Sequence, residues 1–406
     1  MKILVVSQYF WPENFRINDL VTALKDRGHE ITVLTGVPNY PDGEIFSEYV
    51  ESPNTFANFF GVEVIRVPML PRKKGGLRLL MNYISFALSA TLYGVKKTKS
   101  REFDVILACQ LSPITSVLPA IAIKAKKNIP LAMWSLDLWP DSLKAVGIVR
   151  SQIVIDVVGK LVSFIYGKCD LILAQSEEYL SAIRERDPTD TSMAVFPNWA
   201  EELFSFERKA KNNTTFNILF AGNVGEAQDF DAIVECAKLI KVRHLPVQLN
   251  IVGEGRRLRQ LEREIHCFDL KDVIILHGKH PLEKMPEFYS QADAALVSLK
   301  RNEVFSRTVP GKVQSYMFAS LPILGMIDGA TSQLIEDAKC GYVCDSGSYR
   351  SLFENIVRFV NSSESERMSL GRNGYEYASI NFNKKNIVDK LENQLNKLIN
   401  NHLMKS

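Results

Sequence analysis

The sequence predicts an α/β protein built from two doubly wound, Rossmann-like domains facing a central cleft. Three observations carry this. Strand patterns alternate with helical ones through the first half, the alternation restarts near Asn217, and 406 residues exceed what one ordinary core organises.

Ile3 to Ser7 reads as a buried strand. Ile17, Leu20, Val21 and Leu24 then repeat at helical spacing, and Gly28 ends that helix where a left-handed residue is favoured. Further strands are expected at Ile31 to Leu34, Asp104 to Ala108, Leu131 to Leu136 and Leu171 to Ala174, each followed by a helical pattern. Strands separated by helices pair in parallel. The second half repeats the scheme at Ile218 to Ala221, Gln248 to Val252, Val273 to Leu276, Ala294 to Ser298 and Pro322 to Met326, with a helix over Phe230 to Lys241. The linker is placed around Phe196 to Trp199 and the polar run Glu207 to Thr215. The domains are therefore set at 1–198 and 199–383. A closing helix, Lys384 to Leu403 within 384–406, has its return to the first domain left open.

A hydrophobic share of 46% with 23% charged residues suits a folded enzyme and excludes disordered and fibrous classes. The six cysteines are scattered and match neither a disulfide framework nor a zinc site, so a reducing compartment is expected. Met1-Lys2 leads straight into the first strand, so no secretory leader is expected. The net charge of +3 conceals an asymmetry. Between Pro71 and Arg101 stand eight Lys or Arg and no Asp or Glu; removing those eight from 49 leaves 41 basic against 46 acidic residues elsewhere.

The segment Arg307 to Met317 is the strongest candidate for chemistry. It follows a strand and a polar loop and opens a helix with Pro310 in its first turn. Free amides, Thr308, the open backbone of Gly311 and Lys312 together make an anion site, or else a well-capped helix start with a solvated Lys. Neighbouring strand ends add Gly222-Asn223-Val224-Gly225 with Gln228, then Gly253, then Gly278-Lys279, where a ligand of such a sheet lies. Asp229-Phe230-Asp231 spells a metal-binding string, but reads better as helix N-terminal carboxylates; no metal or cofactor is expected. His277 and His280 are weaker candidates for a base pocket. The first turn of the N-terminal half, Ser7 to Asn14, lacks a dinucleotide fingerprint, which leaves that half as the acceptor side.

The strand-end order, Pro197-Asn198 and the Pro310-x-Lys312-x-x-x-Tyr316-Met317 run resemble the retaining GT-B glycosyltransferases of family 4 over nearly the whole chain. Pro38 to Gly43, Asp137 to Ser142 and Gly222 to Gln228 resemble the WbuB-type sugar transferases of O-antigen and capsule synthesis in particular. The resemblance implies retention, no dedicated metal, a nucleotide-sugar donor and a lipid-diphosphate-linked saccharide acceptor. It implies UDP-N-acetyl-L-fucosamine or a related amino-deoxy sugar as donor. Two departures stand out. Carboxylates that many members place eight residues apart are Arg307 and Ser315 here, and an Arg and Lys that hold the diphosphate are Asn223 and Gln228 or Asp229. The positive charge is thus expected from Lys312 with Arg307 and Lys300, and Glu303 is a candidate for sugar hydroxyls. Asp137, past a strand end, is the candidate proton acceptor or a mere helix cap; Glu13, Asn14, Tyr40, Trp139 and Asp141 complete the acceptor side.

Arg72, Lys73, Lys74 and Arg78, the apolar run Leu79 to Val95 and the lysines after it read as a basic-flanked helix too short to span a bilayer. With Ile153 to Ile165 it either packs on the sheet or touches an anionic inner-membrane surface from the cytoplasmic side. No nucleic-acid motif accompanies the basic patch. The competing readings are a nucleotide-sugar epimerase of the same architecture and a silent nucleotide-binding protein at the membrane.

Overall fold

The computed structural model describes residues 1–73, 75–145, 151–200 and 215–404. Lys74 and most of the polar run Glu207 to Thr215 lie outside them. The chain divides into two compact units, Met1–Phe196 with Val388–Ser406, and Pro197–Ile387.

The first unit holds β1 (Lys2–Ser7), β2 (Glu30–Gly36), β3 (Asn58–Phe59), β4 (Val62–Val67), β5 (Val105–Gln110), β6 (Leu131–Ser135), β7 (Leu171–Ala174) and β8 (Ser192–Val195). Their order is β3-β4-β2-β1-β5-β6-β7-β8, parallel except where β3 meets β4. The central strands are buried along nearly their whole length, which is why β1 and β5 read as unbroken apolar runs. β3, β4 and β8 were not anticipated. β4 carries Glu63 and Arg66 among its valines, and β8 at the sheet edge buries none of its four residues fully. The C-terminal helix Lys384–Leu403 joins this unit from Val388 onward. Asp389 pairs with Arg27 at 2.7 Å, Glu392 with His29 at 2.5 Å, and His402 meets the carbonyl of Asn128 at 2.8 Å.

The second unit holds β9 (Phe216–Ala221), β10 (Val247–Val252), β11 (Ile274–Gly278), β12 (Ala294–Ser298), β13 (Ile323–Met326) and β14 (Gly341–Cys344). All pair in parallel, in the order β11-β10-β9-β12-β13-β14. Chain direction across this sheet reverses between β9 and β12, the place where open α/β sheets leave a crevice at the strand ends. The two strands pair only at Ala294 with Ile218 and Ala295 with Leu219, then part. Tyr316 fills the gap: its hydroxyl accepts from the amide of Ala221 at 2.8 Å and donates to the carbonyl of Ala221 at 3.3 Å. That pair of bonds fixes the helix Gly311–Phe318 beside the crevice.

Candidate functional site

In the second unit, the sheet order brings the ends of β11, β10, β9 and β12 side by side, so Gly278 closes one strand and Gly253, Gly222 and Lys300 follow its neighbours. The turns are tightly nested. Gly253 sits at φ +147°, and a Cβ there would lie 1.8 Å from the carbonyl oxygen of Gly222. Gly222, at φ +138°, leaves its Cβ position 3.4 Å from the ammonium nitrogen of Lys312. It is the positive φ, more than the space, that favours glycine at 222.

Lys312 stands in the first turn of the helix Gly311–Phe318, with Pro310 as the N-cap rather than inside the first turn. Its ammonium lies 3.7 Å from the centre of the Phe220 ring and donates to Oε1 of Gln228 at 2.9 Å. Both partners are neutral, and among the described residues no carboxylate forms an ion pair with it. Burial pushes its pKa down to about 7. Above the helix start the space is open, since a Cβ at Gly311 would meet nothing within 4 Å. A half-buried cation at a helix start with an open approach is an incomplete anion site.

The cations expected to share the charge are already matched. Arg307 pairs with Glu303 at 2.6 Å, one turn apart on an exposed segment. Lys300 lies 3.6 Å from Glu226 and 3.7 Å from Asp231, and its amide donates to the carbonyl of Ala227. Asp231 also pairs with Arg257, whose guanidinium is nearly fully buried. Lys279 pairs with Glu254 at 2.5 Å. The Thr308 hydroxyl donates to the carbonyl of Phe305 at 2.9 Å, and Ser315 reaches the carbonyl of Gly311 at 3.4 Å. Asn223 is exposed, and Gly225 accepts the amide of Gln228 at 3.2 Å. His277 bonds Asn250 at 2.8 Å, and both His277 and His280 pack on Phe288. Gln228 has a role that its place in a motif did not foretell. Ser298 holds its carbonyl at 2.6 Å while its side chain meets Lys312.

The loops of the first unit are organised around a carboxylate. Glu13 is 3% exposed and accepts the amides of Phe10 at 3.1 Å and of Asn39 and Tyr40 at 2.8 Å. It ties the loop after β1 to the loop after β2. Burial outweighs these amide bonds and pushes its pKa up to about 7. A second brace went unforeseen. Asn82, fully buried, accepts from Gln8 at 2.8 Å and Tyr9 at 3.1 Å and donates to the carbonyl of Leu70 at 2.6 Å. Its signal in the sequence is a polar residue inside an otherwise apolar run. Tyr40 lies among Tyr9, Phe15 and the guanidinium of Arg72, and Asn14 is exposed nearby. After β6, Asp137 accepts from the indole of Trp139 at 3.0 Å, and burial raises its pKa above the usual carboxylate range. Asp141 opens the short helix Asp141–Ala145 and pairs with Arg186 at 3.0 Å.

Among the described residues no helix is long and apolar enough to cross a membrane, and no group of three or more His, Cys, Asp or Glu side chains could hold a metal ion. The family model "Glycosyl transferase 4-like domain" matches residues 14–199, and "Glycosyl transferases group 1" matches residues 202–377. The chain is 25% identical over 324 residues to the probable glycosyltransferase WbjE of Pseudomonas aeruginosa, covering 75% of this chain and 79% of that protein. It is 24% identical over 341 residues to the putative colanic acid biosynthesis glycosyl transferase WcaI of Escherichia coli (strain K12), covering 78% and 81%. Its fold matches Anabaena HepE, solved in complex with UDP, at a TM-score of 0.72 and 13% identity over 98% of this chain and 100% of that one. The two sheets are those of the GT-B architecture.

Proposed function

We propose that the chain, which belongs to the retaining glycosyltransferases of family 4, moves a sugar from a UDP-linked donor to a lipid-diphosphate-linked saccharide in bacterial surface-polysaccharide synthesis. The observation that carries this reading is Lys312, a half-buried ammonium with only neutral partners beside an open helix start. As the bond from the sugar to the diphosphate breaks, negative charge grows on the leaving oxygen. A preorganised cation and helix amides stabilise that charge without reorganising at the moment of reaction. Two named likenesses agree: WcaI is named for colanic acid biosynthesis, and HepE was solved with UDP.

Gly222, Gly253 and Gln228 shape the diphosphate seat around Lys312, and the Gly278 and Lys279 strand end extends it. In the first unit Asp137 holds the acceptor hydroxyl or takes its proton, burial making its carboxylate a stronger base than a solvated one. Glu13 acts one step away by positioning the loop that carries Tyr40. UDP-N-acetyl-L-fucosamine is the first donor to try.

The same reading sets the protein on an anionic membrane surface. The helix Gly76–Thr98 buries small residues and Phe86 inward, yet exposes Leu77, Leu80, Ile84, Leu88 and Leu92 at helical spacing. It contains no Asp or Glu, and Arg72, Lys73 and Arg78 stand at its start. The helix Gln152–Tyr166 likewise exposes Ile153, Val157 and Phe164. Apolar stripes flanked by cations suit an anionic leaflet.

The test is a panel of UDP-sugars with and without a lipid-diphosphate saccharide. Acceptor-dependent UDP release with formation of a longer saccharide is the expected result. Interconversion of the donor without UDP release, or donor binding with no turnover on any acceptor, contradicts it.

A further inference from the structure

At the far end of the helix Gly76–Thr98 lies an open cavity of about 890 Å³. Leu92, Val95, Phe103, Ile123 and Ile129 give it an apolar floor. Its rim carries Lys96, Lys99, Arg101, Lys126 and Lys127 against a single acid, Glu102. The cavity stands where β5 begins, so it is separate from the loops that follow the C-terminal strand ends.

Helix C-termini attract lysines for their own sake, because unpaired carbonyls collect there. Lys127 is used in this way, donating to the carbonyls of Lys99 at 3.3 Å and Arg101 at 2.5 Å. Arg101 is likewise committed, to Glu63, and Glu102 pairs with Lys2. Lys96, Lys99 and Lys126 are different. All three are exposed, and among the described residues none forms an ion pair. Three unmatched cations over an apolar floor suit a ligand that is anionic at one end and hydrocarbon at the other. Leu92 belongs both to this cavity and to the exposed stripe, so the floor continues onto the face assigned to the membrane.

We propose that this cavity binds the headgroup of an anionic phospholipid, with an acyl chain running over Leu92 toward Leu88. The proposal rests on the membrane-docking reading above and deepens it. The 23-residue helix is about 35 Å long. A headgroup seat at its end, with Arg72, Lys73 and Arg78 at its start, holds it flat along the surface.

The experiment uses the full chain with phosphatidylcholine vesicles, with and without phosphatidylglycerol, at low salt. One variant combines Lys96→Ala, Lys99→Ala and Lys126→Ala. A second, equal in charge, combines Lys271→Ala, Lys284→Ala and Lys339→Ala on the other unit. With each basic residue near an anionic surface contributing roughly fivefold in partitioning, the cavity variant is expected to lose about a hundredfold. The control should stay within about threefold of wild type, since it leaves the cations of the cavity in place. Equal losses in both variants, or no loss in the first, overturn the cavity while leaving membrane docking standing. No wild-type binding to anionic vesicles overturns both. Short-chain phosphatidylglycerol and inorganic phosphate, titrated separately, identify the source: tighter binding of the lipid supports the proposal, and equal binding overturns it.

Discussion

The carboxylate of Glu13 and the ammonium of Lys312 are both drawn out of water, and burial moves both pKa values to about 7 from opposite sides. Their surroundings differ. Three backbone amides from two loops converge on Glu13, so its oxygens are spent as acceptors inside the fold, holding those loops together. Lys312 has one amide oxygen and one aromatic face, neither bearing a full negative charge. A fold that leaves a cation so incompletely matched gives up stability there, and an arriving anion restores the balance. The first unit's carboxylate is structural; on the proposed reading, the second unit's ammonium is completed by the donor's diphosphate.

Removing each charge should therefore act in opposite directions. Lys312→Met is expected to lower kcat by roughly 10²–10³-fold, the cost of losing a preorganised group at the leaving oxygen. Its melting temperature should hold or rise, because a thioether is easier to bury than an ammonium. A variant that loses activity and stability together breaks the contrast and makes Lys312 a structural residue. Next in size, Asp137→Asn should lower kcat by about 10²-fold with UDP affinity unchanged, since the change removes the base and leaves the donor seat intact. Weakened UDP binding would contradict that division of labour.

Glu13→Ala should cost about 3 kcal/mol in urea unfolding, because three loop amides lose their acceptor. Glu13 also carries a pH signature. Its folded pKa is raised from 4.5 to about 7, so its contribution is fully present below pH 4.5 and lost as pH rises to about 7. Wild type should lose stability relative to Glu13→Gln across that window; parallel curves would contradict the assignment. The smallest effect belongs to Tyr316→Phe, which leaves the Ala221 amide without its partner and should cost about 1–2 kcal/mol. An unchanged unfolding midpoint would show that the gap between β9 and β12 closes without the hydroxyl.

The buried strands and the helix start at Lys312 were legible because their signals are local. Unbroken apolar runs mark β1, β5 and β12, and Pro310-Gly311-Lys312 marks a helix opening whatever surrounds it. What escaped depends on distant partners. β4 alternates charged with apolar residues, while β8 and β14 are short edge strands whose pairing gives little trace in composition. Lys300 reads as a free cation until the fold sets Glu226 and Asp231, some seventy residues earlier, beside it. Asn82 interrupts an apolar helix in sequence, yet in the fold it joins Gln8, Tyr9 and the carbonyl of Leu70. Charge pairing and loop bracing are properties of contacts across tens of residues, and periodicity does not register them.

Proton uptake on binding UDP tests the central claim most directly. At pH 8 the terminal phosphate of UDP is fully ionised, while an amine of pKa about 7 is mostly neutral in the free protein. A diphosphate on Lys312 must recharge it. Calorimetric titration in two buffers of different ionisation enthalpy should therefore show uptake of close to one proton at pH 8, abolished in Lys312→Met. UDP binding with no proton uptake, or with uptake that survives Lys312→Met, would contradict the account.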